Sequence, residues 1–411
     1  MRALALLLLA PLAALPSGCS TVACAHGDYD AAECRVAAEN HYARLLTSTG
    51  VTVRFQSPAA TDASSWEALG KLAEAEGAVV QGRPSTLTDF ALSIERGTLG
   101  ADTLTLVLDN VATDAVISIG PDGAEVDVPS PLVGTRRELA IPLTDDLIWV
   151  RGRRTCPAEY RVAVAGDIQT NPVQFERVLE ALHDEVAAAD AAGTPLLGFA
   201  LLGDLAEEPV EDELRHINEL LLKSPVPISV VPGNHDVHGD EFALYNRVFG
   251  AGNYAQDVCS TRLVLLDTGA GGLAGSIQAR LPQLLDRTGK DFLVGGGHYP
   301  AWPGRTGNGW GDEDAAWYLL SELARNEADL YVAGHYHSWE EMPAVPVGDG
   351  EVHQIISGTA GAHQGGGVPH FGFTRLTFTG AGVTSCFVEV LPPGRTETGT
   401  GTEGGIRYCA D

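Results

Sequence analysis

Five short polar motifs in this chain carry side chains able to hold a cation and move a proton. They are GDIQ with Asp167 and Gln169, GDLAEE with Asp204, GNHD with Asn234, His235 and Asp236, GGGHYP with His298, and GHYH with His335 and His337. Carboxylate, amide oxygen and imidazole are the donor set of borderline divalent ions such as Mn, Fe or Zn. Two such ions about 3.5–4 Å apart need one carboxylate that reaches both. A lone Gly-Asp after a strand is ordinarily a turn, and a lone histidine is ordinarily a satisfied core residue. Six or seven such groups gathered near a core are different, because their desolvation is costly unless a cation pairs them.

Each motif follows a predicted strand. YRVAVAGD precedes the helical QFERVLEALHDEVAAA, PLLGFALLGD precedes DELRHINELLLKS, and PISVVPGN, DFLVGGGH and DLYVAGH repeat the pattern, with further helices at SIQARLPQLLD and DAAWYLLSELARN. Strand and helix in alternation predict βαβ units and a largely parallel core. Ligands of such sheets bind beyond the C-terminal strand ends, where all five motifs fall. GFTRLTFT and TSCFVEV close the region as a hairpin. Upstream, residues 46–155 alternate in short runs such as VTVRF, TLTLVLDN, DAVISIG and DDLIWVRG, which read as antiparallel strands of a small β-sandwich with one helix at SWEALGKLAEAEG. No cluster of reactive side chains stands in that part, so its expected role is structural or substrate-framing.

The chain has 411 residues, 54 acidic against 26 basic, for a formal net charge of −28. That field disfavours general nucleic acid binding. Residues 1–18, MRALALLLLAPLAALPSG, read as a secretion signal too short and proline-broken to span a membrane. PSGC resembles the processing site of bacterial lipoproteins, which would make Cys19 the lipidated residue, the only membrane attachment, and place the protein in the cell envelope as an outer-membrane lipoprotein; an ordinary exported protein cleaved nearby is the other reading. Setting Cys19 aside from seven cysteines leaves Cys24, Cys34, Cys156, Cys259, Cys386 and Cys409, enough for three disulfides in an oxidising compartment. Cys24 with Cys34 and Cys386 with Cys409 are the local pairs expected. The boundaries that follow are a lead segment over 19–45, the β-rich domain over 46–155, the motif-bearing domain over 156–390 and a flexible tail over 391–411.

The GD pairs, GNHD, the histidine of GGGH and GHYH resemble the metallophosphoesterase family, the calcineurin-like group, over roughly residues 160–380. The resemblance implies a four-layer α/β sandwich of two mixed sheets flanked by helices, in place of the parallel core, and a dinuclear centre that hydrolyses phosphoric esters. It implies that Asp167 and His337 bind the first metal, that Asp204 bridges, and that Asn234, His298 and His335 bind the second. His235 would protonate the leaving oxygen, with Asp236 orienting it. The chain departs from the family pattern at Gln169, where many members have histidine. Its amide oxygen is an adequate, weaker ligand; Glu207 or water is the rival for that place. Because Glu207 stands where purple acid phosphatases carry a ligand tyrosine, plain divalent ions are expected. A water shared by the two metals would lose a proton and attack phosphorus in line. Arg305, Trp302 and Trp310, just after His298, are candidate substrate contacts, with core capping as the other reading of the tryptophans. The expected substrate is a small phosphate ester, monoester or diester. The alternative is a lipid-anchored phosphate-binding protein with a degenerate mononuclear or metal-free site.

Overall fold

A computed structural model of the chain describes residues 30–409 apart from 65, 76–78, 98–101, 130–131, 239–240, 242, 302–308, 365–368, 395–398, 400 and 404–405. The motif-bearing part is built on two mixed sheets. One orders its strands Ile228–Val230, Leu196–Leu201, Tyr160–Ala165, Gly372–Thr379 and Gly382–Glu389, the first two pairings parallel and the last two antiparallel. The other runs Tyr254–Val258, Thr261–Leu266, Phe292–Gly297, Leu330–Ala333, Gly350–Ser357 and Trp339–Val347, parallel at its centre and antiparallel at both edges.

Both faces of these sheets are buried, and the two-residue period of a strand sorts the side chains between layers. Val162 and Val164 point into the core between the sheets, where they meet Leu263, Leu265, Val294 and Val332. Ala163 and Ala165, one residue over, face Phe175, Val178 and Leu182 of helix Pro172–Ala191 and Leu214 and Ile217 of helix Glu211–Leu221. On the far side Val264, Leu266 and Leu293 face Ile277, Leu281 and helix Glu313–Arg325 through Leu319, Leu320 and Leu323. Helix, sheet, sheet and helix make four layers, as the family resemblance implied and as the simple strand–helix alternation did not.

Ahead of them stand two further sheets, of six and five strands, spanning Arg44–Leu46 to Leu147–Arg153. Most pairings are antiparallel, but Val79–Pro84 runs parallel to Thr103–Leu108. The helix expected at SWEALGKLAEAEG is not formed by its described residues, 66–75. Gly70–Ala75 is a strand paired with Val79–Pro84, and a Cβ on Gly70 would stand 2.5 Å from the Phe55 ring. Good helix formers yield here to sheet pairing and to a close packing contact.

These sheets share one apolar core with the motif-bearing sheets. They also cover an exposed sheet edge: Asn110 exchanges two hydrogen bonds with the backbone of Ile228, and Arg83 donates to the Ile228 carbonyl at 2.8 Å. The lead helix, Asp30–Tyr42, docks on the motif-bearing part, where Arg35 grips the Asp267 carboxylate with both Nε and Nη2. Disulfides join Cys156 to Cys259 and Cys386 to Cys409, and Cys34 is disulfide-bonded too; Cys19 and Cys24 lie outside the described residues. Within the stretch 391–411, Tyr408 is 7% exposed and pairs with Phe387 beside the Cys409 disulfide. Among the described residues no helix is long and apolar enough to cross a membrane.

Candidate functional site

The two inner sheets bring the motifs together from opposite sides. Asp167, Asp204 and Asn234 follow strands of the first sheet, and His298 and His335 follow strands of the second. The turns that carry them are backbone-strained: Asp167, Gln169, Asp204 and His335 all have positive φ, at 65°, 23°, 51° and 69°. The reach of Gln169 therefore comes from a turn and not from a continuing strand period, because the strand ends at Ala165. Glycines let the turns approach. A Cβ on Gly233 would fall 2.2 Å from Asp204 Oδ1, and one on Gly334 would fall 2.5 Å from Asp167 Oδ2.

Two donor groups result, and they share Asp204. Ligand atoms of Asp204, His298 and His335 lie within 4.8 Å of one another, as do those of Asp167, Asp204 and His337. Asn234 belongs to the first of these groups, its Oδ1 being 3.0 Å from His298 Nε2 and 3.0 Å from His335 Nδ1. Two of the histidines, His298 and His337, are held by their far nitrogens. His298 Nδ1–H donates to the Leu202 carbonyl at 2.8 Å, leaving Nε2 toward Asp204, and His337 Nδ1–H donates to the His363 carbonyl at 2.7 Å, leaving Nε2 toward Asp167. Such carbonyls fix tautomer and ring orientation for a metal. Tyr299 lies against His335 with ring centroids 4.0 Å apart and the planes tilted by 34°.

Gln169 Nε2 donates to Asp204 Oδ2 at 3.1 Å, while its Oε1 is buried with no hydrogen-bond partner. Turning the amide over would set the oxygen beside the shared carboxylate, the orientation a cation requires. Glu207 is in neither donor group; its carboxylate stands 3.8 Å from His235 Nδ1.

The electrostatics are those of a site made for positive charge. Burial, aided by Asp204, pushes the Asp167 carboxyl up to about 8 despite the pull of His298. Burial would also raise Asp204, but His298 and its hydrogen bond outweigh it and hold that carboxylate below its usual range. His298, whose burial favours the neutral ring, is pushed up to about 9 by Asp204 and Asp167. The donor chemistry, the orphaned Gln169 oxygen and the outward-anchored rings all fit divalent ions.

Asp236 does not meet the imidazole of His235 as expected. Its carboxylate accepts the backbone amides of Gly233, Leu205 and Ala206 at 2.8–3.1 Å, and the His235 ring instead donates Nδ1–H to the Glu207 carbonyl at 2.8 Å. The reason is the turn: Asp236 sits at the third position of a helix opening at Asn234, where its carboxylate caps the Gly233 amide and reaches the Leu205 and Ala206 amides of the neighbouring turn. Trp310 is 5% exposed within the apolar layer of helix Glu313–Arg325, its indole N–H toward the Tyr299 carbonyl, which is the core-capping reading. Trp302 and Arg305 lie outside the described residues. Sequence reasoning missed Tyr299 and the Leu202, Glu207 and His363 carbonyls; an aromatic next to His298 was the one visible signal.

Residues 160–339 match the family model described as calcineurin-like phosphoesterase. None of the curated proteins matches the chain. Among solved structures, the chain is similar to a purple acid phosphatase, PPD1, from yellow lupin (Lupinus luteus) seeds, at 13% identity over 78% of this chain and 72% of that one, with a TM-score of 0.47. It is similar to GAP50, the anchor in the inner membrane complex of Plasmodium, at 17% identity over 57% and 85%, TM-score 0.43. PhoD follows at 11% identity over 78% and 92%, TM-score 0.42.

Proposed function

We propose that this chain, a calcineurin-like metallophosphoesterase superfamily member through residues 160–339, hydrolyses small phosphoric esters with two divalent ions, Mn, Fe or Zn. The observation that carries the reading is the pair of donor groups meeting at Asp204. Asp167, Gln169 and His337 would hold one ion, Asn234, His298 and His335 the other, and Asp204 both. What the ions supply when bound is Lewis acidity: a nucleophile at neutral pH and neutralisation of charge on the phosphoryl oxygens.

The rest is done by the chain. His235 stands beside the site with its backbone amide on Asp204 Oδ1 at 2.8 Å and its Nδ1–H on the Glu207 carbonyl, so its Nε2 is the nitrogen free to give a proton to the departing alkoxide. Glu207 positions that ring through its carbonyl and adds negative charge nearby. Asp236 positions both at one remove, by tying the GNHD turn to the GDLAEE turn. His235 is not in either donor group, and a protein that only stored metal or phosphate has no use for it.

We place the division between the β-rich and motif-bearing domains near Cys156, with one core running through both. Lipid on Cys19 and export to a bacterial envelope belong to the same proposal, and the disulfides support an oxidising compartment. Phosphate release from a panel of mono- and diesters, with Mn, Zn, Fe and Mg supplied in turn, tests the activity. Metal-dependent turnover that falls 10²- to 10⁴-fold in His235→Asn while metal content stays unchanged is expected. Metal uptake with no turnover on any ester would favour the degenerate binding protein. Acyl-linked Cys19 in the mature protein, and a soluble active Cys19→Ser variant, are the expected signs of the anchor.

A further inference from the structure

We infer that His370 is a positioning residue for one of the two ions, acting on His337 through the loop that offers it the His363 carbonyl. The inference rests on His337 being a metal ligand. The His337 ring is aimed by its 2.7 Å bond to that carbonyl, so the loop's place decides where Nε2 meets Asp167. One residue on, Gln364 closes the neck of the loop on His370, donating Nε2–H to the His370 carbonyl at 2.8 Å and accepting the His370 amide at 2.9 Å. The ring of His370 is then anchored outside the loop. Its Nδ1 lies 2.7 Å from Glu389 Oε1 and 3.2 Å from the Tyr408 hydroxyl.

This anchor is rigid for physical reasons. The Glu389 side chain is 1% exposed, and a carboxylate so buried holds its partners firmly; its other oxygen accepts the Gly399 amide at 2.8 Å. Tyr408 is packed against Phe387 next to the Cys386–Cys409 disulfide. Glu389 and Tyr408 thus clasp the neck of the loop that orients His337. The second ion's histidine, His298, takes its orientation from the Leu202 carbonyl in the sheet, which the clasp does not touch. The effect should therefore fall on one ion of the two.

Titration of full-length protein with Mn(II), followed by bound Mn per chain and by the magnetic coupling of a Mn pair, tests this. Wild type is expected to take up two ions. In His370→Ala one ion should bind as before and the other about 3- to 10-fold more weakly, a smaller loss than the 10- to 100-fold typical of a direct outer contact. Turnover lost at limiting Mn should return at excess Mn, which a general loosening of the fold would not allow. Tyr408→Phe removes only a hydroxyl and should shift the same ion in the same direction, which covers the case that His370→Ala fails to fold. Two ions in wild type with both affinities unchanged, or both equally weakened, in the variants would overturn this inference alone. No Mn uptake by wild type would overturn the proposed function and this inference with it.

Discussion

Asp236 accepts three amides and touches no imidazole, so its expected contribution is to the turn and not to proton transfer. Asp236→Asn keeps one acceptor oxygen and loses the other. It should lower stability by about 1–3 kcal/mol and leave the pH profile of kcat/KM in place. Thermal unfolding and a pH series check both, and a displaced profile would return Asp236 to the role of orienting His235. At Gln169 a stronger ligand fits the orphaned position, and Gln169→His is expected to tighten metal binding and to keep or raise turnover. Weaker metal binding in that variant would remove Gln169 from the ligand set. Gly233→Ala, with its Cβ 2.2 Å from Asp204 Oδ1, should displace the shared carboxylate and abolish binding of both ions. Metal content after dialysis reads it directly.

Helix Asp30–Tyr42 carries a pH-dependent element. Glu39 is buried, its Oε1 accepting the Gly252 amide and Asn253 Nδ2–H, with Asp267, Arg35 and Tyr254 around it. Burial, then Asp267, pushes its carboxyl up to about 8. The unfolded carboxyl titrates near 4.3, so between roughly pH 4.3 and 8 the folded state keeps a proton that the unfolded state releases. Its contribution is complete below that window and is lost as pH rises through it. Glu39→Gln should flatten the fall of Tm over this range, and an unchanged slope would contradict it. The same scale shows what was legible. The central strands after Cys156 were readable because both faces are buried and their residues are continuously apolar, whereas the edge strands Tyr254–Val258 and Trp339–Val347, with exposed positions among buried ones, were not. The gathering of Asp167, Asp204, His298, His335 and His337 was legible because polar motifs recur at five strand ends, which a single turn or a single core histidine does not explain. SWEALGKLAEAEG misled, since its partners lie in other strands. The left-handed turns and the orienting carbonyls were hidden, because backbone conformation and carbonyl direction are not properties of a residue type.

At the scale of the molecule, one apolar core runs from the N-terminal sheets into the motif-bearing ones, with Phe55, Leu92 and Leu106 in the same cluster as Val164 and Val294. Removing residues 1–155 should expose that core and the Ile228 edge, giving an aggregating product where a separable domain would give a folded one; far-UV circular dichroism and gel filtration tell these apart. With a net charge of −28, the proposed ions would be the local source of attraction for a phosphoryl group. Everything about activity depends on their being there. Crystals grown with saturating Mn should show two anomalous-scattering peaks on either side of Asp204, one bound by Asp167, Gln169 and His337 and the other by Asn234, His298 and His335. A single peak, no peak, or peaks away from these side chains would contradict the dinuclear centre.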